Sequence, residues 1–156
     1  IGSNGLVCMP FGNGAERIFQ NKTLGGNFQH LDFNRHQSAD IIRAAQEGIA
    51  FSMVYGIELL GNVGVKPNKL KAGLANMYLS ELFTQAIVNA SGASVELLET
   101  DGAFGAALGA GAGVGYYANE DEAVSKIKVL KTVQPEASLQ NSYADAYGVW
   151  KMNLPS

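Results

Sequence analysis

An α/β layer with parallel strand pairing at its centre is the fold this 156-residue chain predicts. Three observations carry that expectation. Short apolar runs of strand length alternate with longer segments of helical period. The run Lys69-Leu70-Lys71-Ala72 passes through a tight turn at Gly73 into an amphipathic segment, and a second run at Val95, Leu97 and Leu98 leads into another helical segment. A glycine in such a turn lets the backbone approach a ligand with no Cβ in the way, and the helix start that follows offers N–H groups to polar or anionic ligand atoms.

Each element follows from its local pattern. Residues 5–9 are apolar and bounded by Gly5 and Pro10, which reads as a strand leading into a glycine-rich loop at residues 12–14. Phe28, His30, Asp32 and Phe33 make a weaker second strand. From Ser38 the period changes: Ile41, Ile42, Ala45, Ile49, Met53, Ile57 and Leu60 recur at helical spacing, with Ser38 expected to cap the helix and Gly61 or Gly64 to stop it. Residues 79–90 form the next helix, ended by Gly92. Residues 120–132 are expected as an exposed, charged helix. After Pro135 a last helix carries Tyr143, Tyr147 and Trp150 on one face, more often core anchors than a ligand platform.

The segment Asp101-Gly102-Ala103-Phe104-Gly105-Ala106-Ala107-Leu108-Gly109-Ala110 and its continuation to Gly115 is unusually rich in glycine. Glycine costs a helix about 1 kcal/mol relative to alanine, so a compensating close approach is expected, with packing on the sheet the natural source. Asp101 is placed to cap this helix. A membrane span is excluded, because acidic residues bracket the run short of the roughly 20 apolar residues a span requires. Composition narrows the partners. Eleven basic and 14 acidic residues give a net charge of −3, with no basic block to neutralise a nucleic-acid backbone. The single cysteine, Cys8, excludes an intrachain disulfide, suits a reducing cytosol and sits in an apolar run as an inert thiol. His30 and His36 have no further ligand at metal-site spacing.

Four stretches together resemble the C-terminal portion of a carbohydrate kinase of the FGGY family. They are Gly5-Leu6-Val7-Cys8-Met9-Pro10-Phe11-Gly12-Asn13-Gly14-Ala15-Glu16-Arg17; Ala44-Ala45-Gln46-Glu47-Gly48-Ile49-Ala50-Phe51; Ala72-Gly73-Leu74-Ala75-Asn76; and the small-residue segment from Asp101 to Ala110. They stand in the family's order and spacing. The resemblance implies an α/β fold, the C-terminal lobe of the actin/Hsp70/sugar-kinase (ribonuclease H-like) class, helix-rich with a small mixed sheet, over residues 1–156. It implies ATP and Mg2+ as cofactors, a small sugar as the phosphoryl acceptor and a cytoplasmic enzyme. It also implies a missing N-terminal lobe that holds the sugar and the catalytic aspartate, so that no catalytic residue and no metal ligand is assigned here.

By the same resemblance Gly73, Leu74 and Asn76 hold the adenosine, although a single glycine stands here where the family usually has two or three. Which sugar is phosphorylated is left to the absent lobe, with ribulose, fuculose, gluconate and glycerol as alternatives. Glu16 and Arg17 have two readings, an ion pair that ties down their loop or a charge clamp near transferring phosphate. Glu47 reads as a solvated or helix-pairing charge. A lobe separated from its partner would expose apolar surface and self-associate, most simply as a homodimer. A stand-alone α/β binding module, whose glycine turn merely packs, is the reading from a different class.

Overall fold

The unbroken apolar run Leu6 to Met9 is buried on all sides as strand β1 (Val7–Met9) in the computed structural model of the chain, which describes residues 1–12, 19–125 and 127–155. Glu16 and Arg17 lie outside the described residues. β1 pairs antiparallel with β2 (Asn27–Gln29). The second strand is shorter than its sequence suggests. His30 has a φ of 65°, which ends the extended backbone, and Phe33 lies in a turn at 87% exposure.

Helix α1 (Ser38–Gly61) starts one residue earlier in role than expected. Gln37, not Ser38, is the N-cap, and Asp40 Oδ2 in the first turn reaches back to accept the Gln37 N–H at 2.9 Å. The helix ends through Gly64, left-handed at φ 83°, with Gly61 as its last helical residue. Its buried face also differs from the predicted stripe. Ala44, Gly48, Ala50, Phe51 and Val54 are buried, whereas Ile42, Met53 and Leu60 are exposed. Hydrophobicity alone marked the larger side chains; α1 packs against β1 and a second helix, and close approach there selects small residues.

Strand β3 (Lys69–Gly73), helix α2 (Glu81–Ser91) and strand β4 (Ser94–Leu98) form the βα unit, with β3 and β4 parallel and Leu70 opposite Val95. Ser80 caps α2 by accepting the Phe83 N–H, and Gly92 ends it at φ 74°. Helix α3 (Gly102–Gly113) is capped by Asp101, whose Oδ1 accepts the Phe104 N–H at 2.8 Å. It does not lay a flat face on the sheet. Only Leu108 is buried, the neighbouring element is α4 (Glu120–Ser125), and the space around Gly105, Gly109 and Gly113 is open.

The expected helix over 120–132 is therefore only its first six residues. Further along the chain lies β5 (Val129–Val133), antiparallel to β4 with Val95 opposite Val133. Three of its five residues are β-branched, and the open edge of β4 gives them a partner, which outweighs the charged helix pattern upstream. The sheet order is β3-β4-β5, small and mixed as expected.

Helix α5 (Ala137–Met152) closes the core with Tyr143, Tyr147 and Trp150, as its periodicity predicts. Trp150 is 2% exposed, and its ring centre lies 6.0 Å from Tyr147, 6.2 Å from both Phe11 and Phe51, and 6.3 Å from Tyr55. Its indole Nε1 donates to the carbonyl of Cys8 at 3.0 Å. The same carbonyl faces Gly48 so closely that a Cβ there would collide with it. Cys8 itself is buried, and burial pushes its thiol up, consistent with an inert core residue.

Glu47 corrects a sequence expectation. It does pair along the helix, with Arg43 Nε at 2.8 Å, but it is 3% exposed rather than solvated. The rest of its carboxylate is spent on the start of the chain: the Gly2 N–H donates to both oxygens, at 3.2 and 3.0 Å, and the Ser3 hydroxyl donates at 3.2 Å. His36, likewise buried, accepts the Asp32 N–H on Nδ1 at 3.0 Å.

Two measurements check this packing. Gly48→Ala forces its new methyl into the Cys8 carbonyl, and urea unfolding should show a loss of about 3 kcal/mol. On the far side of α5, Tyr147 donates to Glu58 at 2.6 Å and Lys151 at 3.0 Å, which together hold the Glu58 carboxyl below its ordinary value against partial burial. Stability from this group is complete at neutral pH and is lost as pH falls below about 4.3 through the lowered folded-state value. Glu58→Gln should flatten the acid limb of the stability profile there and leave the limb near neutrality unchanged in shape.

Candidate functional site

Between β3 and α2 the chain does not pass directly from glycine turn to α-helix. A 3-10 turn, Asn76–Leu79, intervenes, so that α2 begins at Glu81. Asn76 opens this turn with φ 51°, a left-handed conformation that asparagine tolerates better than most side chains. The turn forms one wall of a cleft of about 380 Å³, with Gly73, Asn76, Met77 and Tyr78 on that side. Ile49 and Met53 of α1 form the facing wall, and Asp101 and Gly102 lie at its end.

Gly73 is needed for a reason the sequence did not reveal. A Cβ at this position would strike the Thr100 carbonyl, so the close approach is made by the chain's own backbone where β4 leads towards α3. That contact brings Asp101 and Gly102 to the cleft. Leu74 is placed differently from its two companions: its N–H donates to the Leu98 carbonyl at 2.9 Å, and it lines a neighbouring groove with Leu79 and Lys131, where Lys131 pairs with Glu81 at 2.8 Å. The structure thus brings Gly73 and Asn76 together in one cleft and sets Leu74 on the other side of the turn.

Met53 and Ile49 were missed as site residues. Their signal was an apolar pair at i, i+4 on a helix, which ordinarily marks core; here Met53 is 41% exposed because it faces the cleft. Behind the wall, the Ser80 hydroxyl donates to Gln46 Oε1 at 2.6 Å, tying α1 to the cap of α2. Burial pushes the Tyr78 hydroxyl up, so it remains a neutral donor.

The cleft is lined mostly by apolar side chains. Its walls are aliphatic, thioether and aromatic, with an amide at Asn76 and a carboxylate at Asp101, which suits a flat heteroaromatic ring with polar edges. Asp101 caps α3 through Oδ1. Among the described residues no group of three or more His, Cys, Asp or Glu is placed to hold a metal ion. No described helix is long and apolar enough to cross a membrane.

The fold is that of the sugar kinases, in the actin/Hsp70 class. Along nearly its whole length the chain is similar to a C-terminal part of xylulose kinases. Xylulose kinase of Staphylococcus epidermidis is 25% identical over 154 residues, covering 97% of this chain and 31% of that protein. A crystal structure of "a xyloylose kinase" from Brucella ovis superposes with a TM-score of 0.79 at 23% identity, over 97% of this chain and 31% of that one. Plasmodium falciparum glycerol kinase, solved with ADP, gives 0.69 at 16% identity, over 99% and 32%. The chain therefore spans about a third of the length of the curated relatives it matches. No family model matches it.

If the Thr100 contact sets the cleft, Gly73→Ala should cost about 2 kcal/mol in urea unfolding through overpacking. It should also shift the amide resonances of Thr100, Asp101 and Gly102 more than those of α5. Unchanged stability would mean that Thr100 moves aside without cost.

Proposed function

We propose that this chain is the nucleotide-holding part of an ATP-dependent sugar kinase, and that the whole enzyme converts D-xylulose to D-xylulose 5-phosphate. The observation that carries the reading is the similarity to xylulose kinases over 97% of the chain. The cleft beside Asn76 agrees with it, because an apolar slot with a few polar groups is what a purine nucleoside requires.

In this reading Gly73 and Asn76 contact adenosine directly, and Leu74 contributes through the backbone that it fixes. Transfer of the γ-phosphoryl group of ATP to a sugar hydroxyl needs positioning, neutralised charge and a base for the hydroxyl proton. The described residues supply positioning of the nucleotide only. The sugar, the base and any metal ligands then come from the N-terminal lobe, and the 156 residues alone are inactive. The enzyme works in the cytoplasm with Mg2+ and ATP. A second reading, another sugar or polyol such as glycerol, gluconate or ribulose, is favoured by the shared fold with glycerol kinase, since sugar choice would lie in the other lobe.

The test is ATP consumption by the full-length protein with each of these acceptors. D-xylulose should give the highest kcat/KM. Asn76→Ala should raise the KM for ATP about tenfold, the size expected for one lost hydrogen bond to a bound ligand, and leave the sugar KM within twofold. Turnover only with glycerol would select the second reading; no sugar-dependent turnover would refute both.

A further inference from the structure

We infer that Glu47 is a positioning residue for the nucleotide cleft: it locks α1 to a strained turn at residues 2–5, and α1 carries one wall of the cleft. The inference rests on the kinase reading above for the identity of the ligand, and on geometry alone for the lock.

Residues 2–5 pass through four consecutive left-handed conformations, with φ of 79°, 47°, 54° and 88° at Gly2, Ser3, Asn4 and Gly5. The glycines adopt these freely, whereas Ser3 and Asn4 need compensation from their surroundings. Within the turn the Gly5 N–H donates to the Gly2 carbonyl at 2.8 Å and the Leu6 N–H to the Ser3 carbonyl at 3.0 Å, and the side-chain contacts come from α1 and the residue before its cap. Glu47 takes the Gly2 N–H and the Ser3 hydroxyl, and Asp40 Oδ1 accepts from Asn4 Nδ2 at 2.8 Å. The Asn4 carbonyl lies 3.2 Å from His36 Nε2, which must carry the ring proton because Nδ1 accepts the Asp32 N–H.

A buried carboxylate is a costly way to gain stability, and its better-attested use is to fix one arrangement among several. What Glu47 fixes is legible from its neighbours in sequence. Gln46 holds the cap of α2, Gly48 meets the Cys8 carbonyl, and Ile49 and Met53 line the cleft. These residues occupy two turns of one helix, so a rotation or slide of α1 that released Glu47 would carry Ile49 and Met53 away from Asn76 and strain the Gln46–Ser80 bond. The lock at residues 2–5 and the cleft wall are two sides of the same rigid rod.

The experiment uses the full-length protein with Glu47→Gln, which keeps the volume but loses the charge held between Arg43 and the Gly2 N–H. Amide exchange at Gly2, Gly5 and Leu6, the hydrogen-bonded amides of the turn, should accelerate at least about tenfold, while β4 amides stay protected. The ratio of KM for ATP to KM for the sugar should rise about three- to tenfold, with a matching loss of ADP affinity by calorimetry. Faster exchange with an unchanged ratio and unchanged ADP affinity would overturn the inference, leaving Glu47 a purely structural residue; unchanged exchange would overturn the lock itself. Should Glu47→Gln fail to fold, Arg43→Gln removes only the charge partner and should move the same ratio about two- to threefold, no change again overturning the inference. If the unsubstituted protein binds neither ATP nor ADP, the kinase reading fails and takes the cleft's role with it, while the exchange measurement still reports on the lock.

Discussion

One carbonyl group organises the molecule. The Cys8 oxygen receives the indole N–H of Trp150 from α5 and lies against Gly48 of α1, so three elements distant in sequence meet at a single backbone atom. The two contacts make opposite demands. Trp150 must reach in with a large aromatic body, and residue 48 must withdraw to no side chain at all. The four aromatic rings around Trp150 then fix the angle between α1 and α5, and the sheet packs behind α2. Displacing this carbonyl would break a buried hydrogen bond and open a void beside the largest core side chain together, which is why the two effects are not independent.

The order of elements as far as α3 was legible in the sequence, because alternating strand-length and helix-length runs are a direct consequence of burying one face of each. Parallel pairing of β3 with β4 and the aromatic face of α5 were legible for the same reason. The buried face of α1 was not. Ile42 and Leu60 are larger and more apolar than Ala44 and Gly48, yet the latter are inside, since a helix that crosses a strand at close range is selected for the absence of bulk. β5 was also hidden: its pairing depends on the free edge of β4, a non-local fact that no window of the sequence contains.

The candidate site shows the same division. The resemblance assigned Gly73, Leu74 and Asn76 together, and the structure places Gly73 and Asn76 on one cleft and Leu74 on the neighbouring groove. The opposite wall comes from α1, some twenty residues upstream, where Ile49 and Met53 read as ordinary core. Glycine at 73 was read as an opening for a ligand, whereas the atoms that a Cβ there would meet belong to Thr100 of the same chain. The sequence records that a side chain must be absent, not what occupies its place. Glu47 was misjudged because ion pairing at i, i+4 explains an acidic residue so completely that nothing prompts a search for the Gly2 and Ser3 donors.

The seat of Cys8 has a practical side. As the single thiol of the chain, buried and shifted away from the thiolate, it competes poorly for maleimides or nitroxide labels under conditions where an exposed, introduced cysteine reacts fully. A pair of probes could therefore be attached across the cleft, for instance one on α1 and one on α3, without first removing the native residue and disturbing the carbonyl on which the core is built. The sulfur that looked inert in the sequence makes these residues ready for distance spectroscopy as they stand.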